Sequence, residues 1–361
     1  MKLVVINNTR GLISGGYQKY LDNIIPKIVN HPKISTIKVF VPEAIIDRFK
    51  NINYYFPITN KRLLKKEVFN SKPDIMFCPS LQYTYKWPMP FVIMIRNMEP
   101  LAYDNKFNPI QEKIKNYARK ALAKNACIKS NGIIAVSNYV KDYLINDYHI
   151  NDNKIKKIYH GANKSNINNK TEKFLEYQIF TAGSIRPARG LEDIILALSK
   201  IKSRFPKLKL KIAGQVEPVM KNYKKSLDKL INKHGLKNRI IWLNHVDKSK
   251  MIELFNKSKV FIMTSRVEAC PNLALEAMKY GNYIISSKNE PMPEFFRNGA
   301  IYYSEKNPNQ LAKKLEETIL LKRSDIIKYN KINKKNLDRF DWELCANSTV
   351  SFLEEVIEKS H

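Results

Sequence analysis

The chain has 361 residues, 44% hydrophobic and 11% aromatic, which suffices for two domains with separate cores and excludes a disordered or fibrous protein. Its 63 basic residues against 33 acidic ones leave a net charge of +30, an attraction to polyanions that an anionic membrane or a nucleic acid could satisfy. The excess is largely lysine in a chain also rich in Asn and Ile, a bias that an AT-rich genome would also produce. The apolar runs at residues 1–6, 91–95 and 260–263 are too short to span a bilayer, and the opening strand carries no signal-peptide pattern. Four scattered cysteines (Cys78, Cys127, Cys270, Cys345) form no C-x-x-C, and the six histidines show no metal-ligand spacing. The cysteines read as reduced thiols in a reducing compartment.

Residues 2–7 are a short apolar run and predict a buried strand. Gly15 and Gly16 follow in a loop, then a helix over 17–30 with Tyr20, Leu21, Ile24, Ile25 and Ile28 on one side. Strand, Gly-containing loop and helix open a nucleotide-binding type of α/β domain. The two glycines would let backbone approach a ligand phosphate or an acceptor. A plain tight turn fits them as well, and the dinucleotide fingerprint G-x-G-x-x-G is absent. Strands follow at 37–41, 74–78 and 91–95, the last running into Arg96-Asn97. Arg cannot serve as a base, but it can clamp a phosphate or carboxylate.

Residues 108–130 predict a basic amphipathic helix, with Ile110, Ile114, Tyr117, Ala118, Ala121 and Leu122 at helical spacing. The expected arrangement is an apolar face packed on the domain. The alternative is a patch that docks on anionic lipid, extended by Lys61-Arg62 and Lys65-Lys66. A strand at 132–137, a helix at 138–146 and a strand at 155–158 precede His160-Gly161, where His160 reads as a satisfied loop histidine. Residues 163–176 are polar and Asn-rich and read as a linker.

The second half begins with a strand at 177–182. A loop bounded by Gly183 and Gly190 holds Ser184, Arg186 and Arg189, and a helix follows with Leu191, Ile194, Ile195 and Leu198 inside. Two arginines before a helix make a diphosphate clamp; a solvated charged loop fits the residues equally. Strands at 209–213, ending near Gly214, and at 239–243 flank a lysine-rich helix at 221–234. Next comes an apolar strand at 259–263 and the string TSRVEACPNLALEAMKYG. Its loop carries Arg266 and Glu268, and Pro271 suits the first helical position. Leu273, Leu275, Ala277 and Met278 form the apolar side, and Gly281 supplies a left-handed end. Such a unit turns N–H groups and a positive helix end toward the carboxyl edge of the strand, where a phosphate fits. Glu268 and Glu276, with seven residues between them, would repel it unless they face hydroxyls of the same ligand. Phosphate plus hydroxyls describes a sugar nucleotide. Taken alone, the spacing is also met by a solvated Glu before an ordinary helix. The second sheet is expected to be parallel, with its loops on one edge. Helices at 310–321 and 324–337 and a last helix from Phe340 to Lys359 complete the chain.

SRVEACPNLALEAMKYG, followed by an apolar strand and a Pro-Glu, resembles the Glu-x7-Glu motif of retaining GT-B glycosyltransferases, especially glycosyltransferase family 4 (glycosyl transferases group 1). VSNYVKDYL and KIKKIYHGAN resemble the end of that family's first domain, and FDWELCANSTVSFLEEV its closing helix. The resemblance implies an α/β protein of GT-B architecture, two Rossmann-like α/β/α domains facing across a cleft. Residues 1–165 would form the acceptor side, 166–338 the nucleotide-sugar side, and 339–361 a helix returning to the first domain. It implies a hexosyltransferase moving a sugar, with retention and without cofactor or metal, from a nucleoside diphosphate sugar to a glycan or lipid-linked acceptor. Envelope polysaccharide or glycoconjugate synthesis, in the cytoplasm and peripheral at the inner membrane face, is the expected setting.

By the same resemblance Glu276 holds ribose hydroxyls and Glu268 the hydroxyls of the donor sugar. Arg189 and Arg186 stabilise the leaving diphosphate. Cys270, Pro271, Asn272, Leu273, Gly183, Ser184 and Gly214 line the donor; Gly15, Gly16, Arg96 and Asn97 lie on the acceptor side. A front-face route, in which the leaving phosphate helps deprotonate the acceptor, needs no carboxylate nucleophile of the hydrolase kind. The chain departs from the family at three places. Ala269-Cys270-Pro271 replaces Gly-aromatic-Gly; Arg96 stands where a His commonly contacts the transferred sugar; Ser184 stands where Arg is usual, with Arg186 two residues on. These departures keep open a sugar-nucleotide-binding protein without catalysis, and a sugar-nucleotide epimerase on the same fold. A nucleic-acid-binding reading rests on charge alone and lacks a zinc-finger or aromatic RNA-binding motif.

Overall fold

Strands buried on both faces of a parallel sheet read as unbroken apolar runs, and the runs in this sequence become such strands. The computed structural model describes residues 1–7, 15–49, 51–79, 87–162 and 175–360. The first sheet holds β1 (Lys2–Ile6), β2 (Thr36–Pro42), β3 (Tyr55–Ile58), β4 (Ile75–Cys78), β5 (Phe91–Ile95), β6 (Gly132–Ala135) and β7 (Ile155–Lys157). Its order is β3-β2-β1-β4-β5-β6-β7, with Val5 beside Val39 on one flank and Phe77 on the other. The second holds β8 (Leu175–Ala182), β9 (Lys209–Ala213), β10 (Ile240–Asn244), β11 (Ser258–Met263), β12 (Tyr283–Ser287) and β13 (Ile301–Tyr303). Its order is β10-β9-β8-β11-β12-β13. Every residue of β4, β5, β11 and β12 is buried. Both sheets reverse direction beside their first strand, and open α/β sheets bind ligands where the order reverses.

Met1–Met98, Tyr117–Asn163 and Phe340–His361 form one compact unit; Glu99–Asn116 and Lys164–Arg339 form the other. The closing helix Trp342–Ser360 thus belongs to the first unit, where it packs on the helix Gly15–Val29. It buries Val350, Phe352, Leu353 and Val356, each worth about 1.5–3 kcal/mol. Exposed pairs such as Lys33–Glu354 at 2.6 Å add little beside that. In the second unit the helix Leu191–Ile201 turns Ile194, Ile195 and Leu198 into a core shared with Leu210, Ile212 and Ile262.

Several expectations shift. β3, β13 and the helices Lys61–Ser71 and Lys248–Lys257 were not expected. Pro57 within β3 breaks its strand signal, and β3 lies on a sheet edge, where a missing N–H is tolerated. Of the residues expected as a linker, 163–174 lie outside the described residues, and Leu175 and Glu176 already belong to β8.

The largest correction concerns the helix Ile110–Lys129. Its expected packing face is turned outward: Ile110 is 74% exposed, Ile114 64% and Tyr117 66%. Ala118, Ala121 and Leu122 are exposed as well. The buried side carries Glu112, Asn116, Ala123, Ala126 and Cys127. Among the described residues no helix is long and apolar enough to cross a membrane.

Candidate functional site

The two loops at the reversal point of the second sheet follow β8 and β11. After β8, Gly183 has φ of 125°, a value that excludes most side chains. Gly214, after β9, approaches it so closely that a Cβ would stand 1.8 Å from the Gly183 carbonyl oxygen. Ser184 is half-buried. The turn Pro187–Arg189 ends at Gly190, whose φ of 60° starts the next helix. A Cβ on Gly190 would meet the Thr264 carbonyl oxygen at 2.5 Å and the Arg266 guanidinium at 2.8 Å.

The loop after β11 is fastened to this one. Thr264 Oγ1 donates to the Arg189 carbonyl at 2.7 Å and the Arg266 amide to the Ala188 carbonyl at 2.8 Å. The Arg266 guanidinium donates to both Asp193 oxygens, at 2.6 and 2.7 Å. Asp193, 3% exposed, also accepts from Tyr303 Oη and the Lys306 amide, each at 3.0 Å. Burial would lower Arg266, but Asp193 outweighs it and holds the guanidinium above its ordinary value. On the other side, the Ser265 carbonyl accepts from Ser287 Oγ at 2.8 Å and Asn289 Nδ2 at 3.1 Å.

This frame brings Arg189 and Glu268 together. Arg189 Nη1 donates to Glu268 and, at 3.1 Å, to Ser265 Oγ, which donates to Glu268 Oε1 at 2.9 Å. Burial lowers Arg189 to about 10; Glu99 works against that and Arg186 with it. It therefore remains a cation at neutral pH. Arg186 pairs with Glu99 at 2.7 Å and with Glu217. Burial would lower it too, but Glu99 and Glu217 raise it on balance. The two arginines thus stand against carboxylates, not bare to solvent.

Pro271 is the N-cap, with φ −75° and ψ 95°, and the helix runs Asn272–Tyr280, one residue later than expected. Cys270 and Leu273 are half-buried, and Ala274 joins Leu275, Ala277 and Met278 on the buried side, where Leu273 was expected. Asn272 Oδ1 is a buried acceptor with no hydrogen-bond partner. Glu276 is half-buried, one turn inside the helix. Gly281 takes the expected left-handed end, at φ 67°. Sequence reasoning missed Ser265, Asp193, Glu99, Glu217 and Asn289. Asp193 had one visible signal, an acid in the first turn of a helix, but that reads as a partner for the helix dipole.

In the first unit, Gly15 and Gly16, expected in a loop, are the first residues of the helix Gly15–Val29; residues 8–14 lie outside the described residues. The Arg96 guanidinium stacks 3.5 Å from the Tyr17 ring centroid, and its Nε donates to the Pro79 carbonyl at 3.2 Å. Burial lowers its pKa. Asn97 beside it is exposed. His160 is a loop residue but not a satisfied one: it is 5% exposed and neither ring nitrogen has a hydrogen-bond partner. Its ring lies 4.6 Å from that of Tyr20 and 6.2 Å from that of Trp342. Burial, then Arg96 and Lys19, lower it to about 3, so it is neutral. The four cysteines carry no disulfide; burial pushes Cys78, Cys127 and Cys345 up to about 12.

Comparison with known proteins agrees with this architecture. A family model described as Glycosyl transferases group 1 matches residues 163–336, and one described as Glycosyltransferase Family 4 matches residues 28–166. Over 241 residues the chain is 24% identical to an uncharacterized glycosyltransferase of Methanocaldococcus jannaschii, covering 63% of this chain and 60% of the relative. Over 228 residues it is 25% identical to the O-antigen chain mannosyltransferase RfbU of Salmonella typhimurium, covering 62% and 60%. The chain therefore spans 60% of the length of these curated relatives. Among solved structures, Anabaena HepE in complex with UDP has a TM-score of 0.76 at 16% identity, covering 98% of this chain and all of that one. A glycosyltransferase from Rickettsia africae has a TM-score of 0.73 at 18% identity, covering 99% of each chain. At these identities the structural likeness is one of fold. The two family models meet at residues 163–166 and together run from 28 to 336, and the chain belongs to the GT-B glycosyltransferases of the family 4 type.

Proposed function

We propose that the chain transfers a hexosyl group from a nucleoside diphosphate sugar to a hydroxyl of a glycan or lipid-linked acceptor, with retention and without a metal ion. The observation that carries this is the Arg189–Glu268–Ser265 cluster at the reversal point of the second sheet. A half-buried cation and a carboxylate held against each other suit a ligand that is anionic at one end and rich in hydroxyls at the other. When such a donor binds, its diphosphate takes Arg189, and Glu268 turns to accept from hydroxyls of the sugar. Arg189, although lowered by burial, stays protonated at pH 7. It meets the charge that develops on the leaving phosphate without reorganising. Asn272 Oδ1, the N–H groups of the first helical turn and Glu276 remain for the nucleoside side. The bond from the anomeric carbon to phosphate breaks, and the bond to the acceptor oxygen forms on the same face. The acceptor proton passes to the departing phosphate oxygen.

Family membership supports the reaction class. Anabaena HepE has been solved with UDP and with UDP-glucose, which supports a nucleotide-sugar donor, and RfbU is an O-antigen chain mannosyltransferase, which supports a role in envelope glycans. We place the enzyme in the cytoplasm, peripheral at the inner membrane face, because its basic excess suits an acceptor presented on an anionic surface. A second reading has its own observation. Ser184 stands in place of an arginine, and Arg186 is engaged by Glu99 and Glu217, as in a protein that binds the donor without turning it over.

The test is calorimetric titration of UDP-, GDP- and ADP-sugars into the wild type and Glu276→Ala, in chelator, followed by turnover. One donor bound by the wild type and lost in the variant supports the site; no binding to a folded wild type overturns the reading. Product of unchanged anomeric configuration, formed in chelator, supports the mechanism, whereas a trapped glycosyl-enzyme adduct overturns the front-face route. Binding without turnover selects the second reading, and a new sugar nucleotide formed without acceptor selects an epimerase.

A further inference from the structure

We infer that the outward face of the helix Ile110–Lys129 docks on an anionic lipid bilayer. The inference deepens the membrane part of the reading above by naming the surface, and its test needs no donor.

The helix has 20 residues and is about 30 Å long. In a helix packed on its own domain the apolar stripe faces inward. Here Ile110, Ile114 and Tyr117 are all at least 64% exposed, and Ile128, on the same side, is 58% exposed. Ala118 and Ala121 fill the stripe between them. Phe107, just before the helix, adds another ring at 61% exposure. The inward side is small and polar, with Glu112, Asn116, Ala123, Ala126, Cys127 and Ser130.

At 3.6 residues per turn, Lys113, Lys120 and Lys124 line one flank of the stripe, and Lys115 and Lys129 the other. The one acid of the helix, Glu112, is on the buried side. An apolar strip between two cationic rows is the pattern of a helix lying in the plane of a membrane interface. The isoleucines and tyrosine enter the acyl boundary, while the lysine stems reach back to the headgroups.

The charge arrangement decides among occupants. A second copy of the chain would set these cationic rows against their own kind, which opposes a symmetric dimer. A nucleic acid would satisfy the cations but offers no apolar phase for Ile110 and Ile114. An anionic bilayer satisfies both.

The experiment is co-sedimentation of the full chain with vesicles of phosphatidylcholine, with and without phosphatidylglycerol, at about 0.05 M and about 0.5 M salt, where the Debye length falls roughly threefold. The wild type is expected to pellet with the anionic vesicles only, and at least tenfold less at high salt. Ile110→Glu with Ile114→Glu is expected to lower partitioning at least tenfold without changing the melting temperature, because both side chains are exposed. Lys113→Gln, Lys120→Gln and Lys124→Gln together should lower it and flatten its salt dependence. Failure of the wild type to pellet overturns the inference. So does undiminished binding of the isoleucine variant, which would assign adsorption to charge elsewhere. A concentration-dependent dimer abolished by that variant would assign the face to self-association and overturn it too. Each of these outcomes leaves donor binding and turnover on a soluble acceptor untouched, so the two readings fail separately.

Discussion

The carboxyl edges of the two sheets treat buried charge differently. After β8 and β11 in the second unit, Arg186, Arg189 and Arg266 each meet a carboxylate. In the first unit Arg96 lies on the ring of Tyr17, and His160 sits neutral between Tyr20 and Trp342. The first arrangement holds each cation against a carboxylate. The second lays its arginine cation on an aromatic face and keeps its imidazole neutral. An edge built on ion pairs should therefore respond to loss of a partner, and an edge built on neutral burial should respond to pH.

The largest effect is expected at Asp193. Asp193→Ala takes from the largely buried Arg266 its bidentate partner, leaving only Glu305 at 3.9 Å, and should cost about 3–5 kcal/mol in denaturant unfolding. Adding Arg266→Met should recover much of that, and the cycle isolates the coupling. A loss below about 1 kcal/mol would break the contrast, because the pair would then behave like a surface bridge. Next is Arg189→Met, which should keep the fold and lower kcat by about 10²–10³, or about 2.7–4 kcal/mol.

His160 sharpens the other side. Its folded value, about 3, lies below the value of about 6.5 in an unfolded chain. As pH falls below about 6.5 the unfolded chain takes up the proton and the folded one does not. The stability contribution is thus complete above that pH and declines toward pH 3, by about 2 kcal/mol at pH 5. His160→Phe should remove this slope; unfolding of both proteins at pH 7 and pH 5 measures it. The smallest effect is expected from Glu276→Ala, a roughly tenfold loss of donor affinity, or about 1.4 kcal/mol, read by calorimetry.

The candidate site was legible where its signal is local. Glu268 and Glu276 share one strand-loop-helix, and Gly190 and Gly281 mark helix boundaries through their left-handed backbone. The frame behind them was not legible. Arg189 and Glu268 are 79 residues apart, and Arg266 and Asp193 are 73 apart. No periodicity encodes such pairs, since they arise only when β8 and β11 become neighbours. His160 shows the same limit: a histidine before a glycine reads as a loop residue, and only the closing helix, bringing Trp342 over Gly161, makes it buried and neutral.

By itself the sequence determined the strands whose two faces are both covered, such as β4, β5, β11 and β12, because burial on both sides demands an unbroken apolar run. It determined the amphipathic character of residues 110–129 for a similar reason, as helical period is written in residue spacing. Only the tertiary structure decided which side of that helix turns inward. A pattern states that two faces differ; which one is covered depends on the shape and polarity of the neighbours. Here they take the face of Glu112, Asn116 and small residues and leave Ile110, Ile114 and Tyr117 outside.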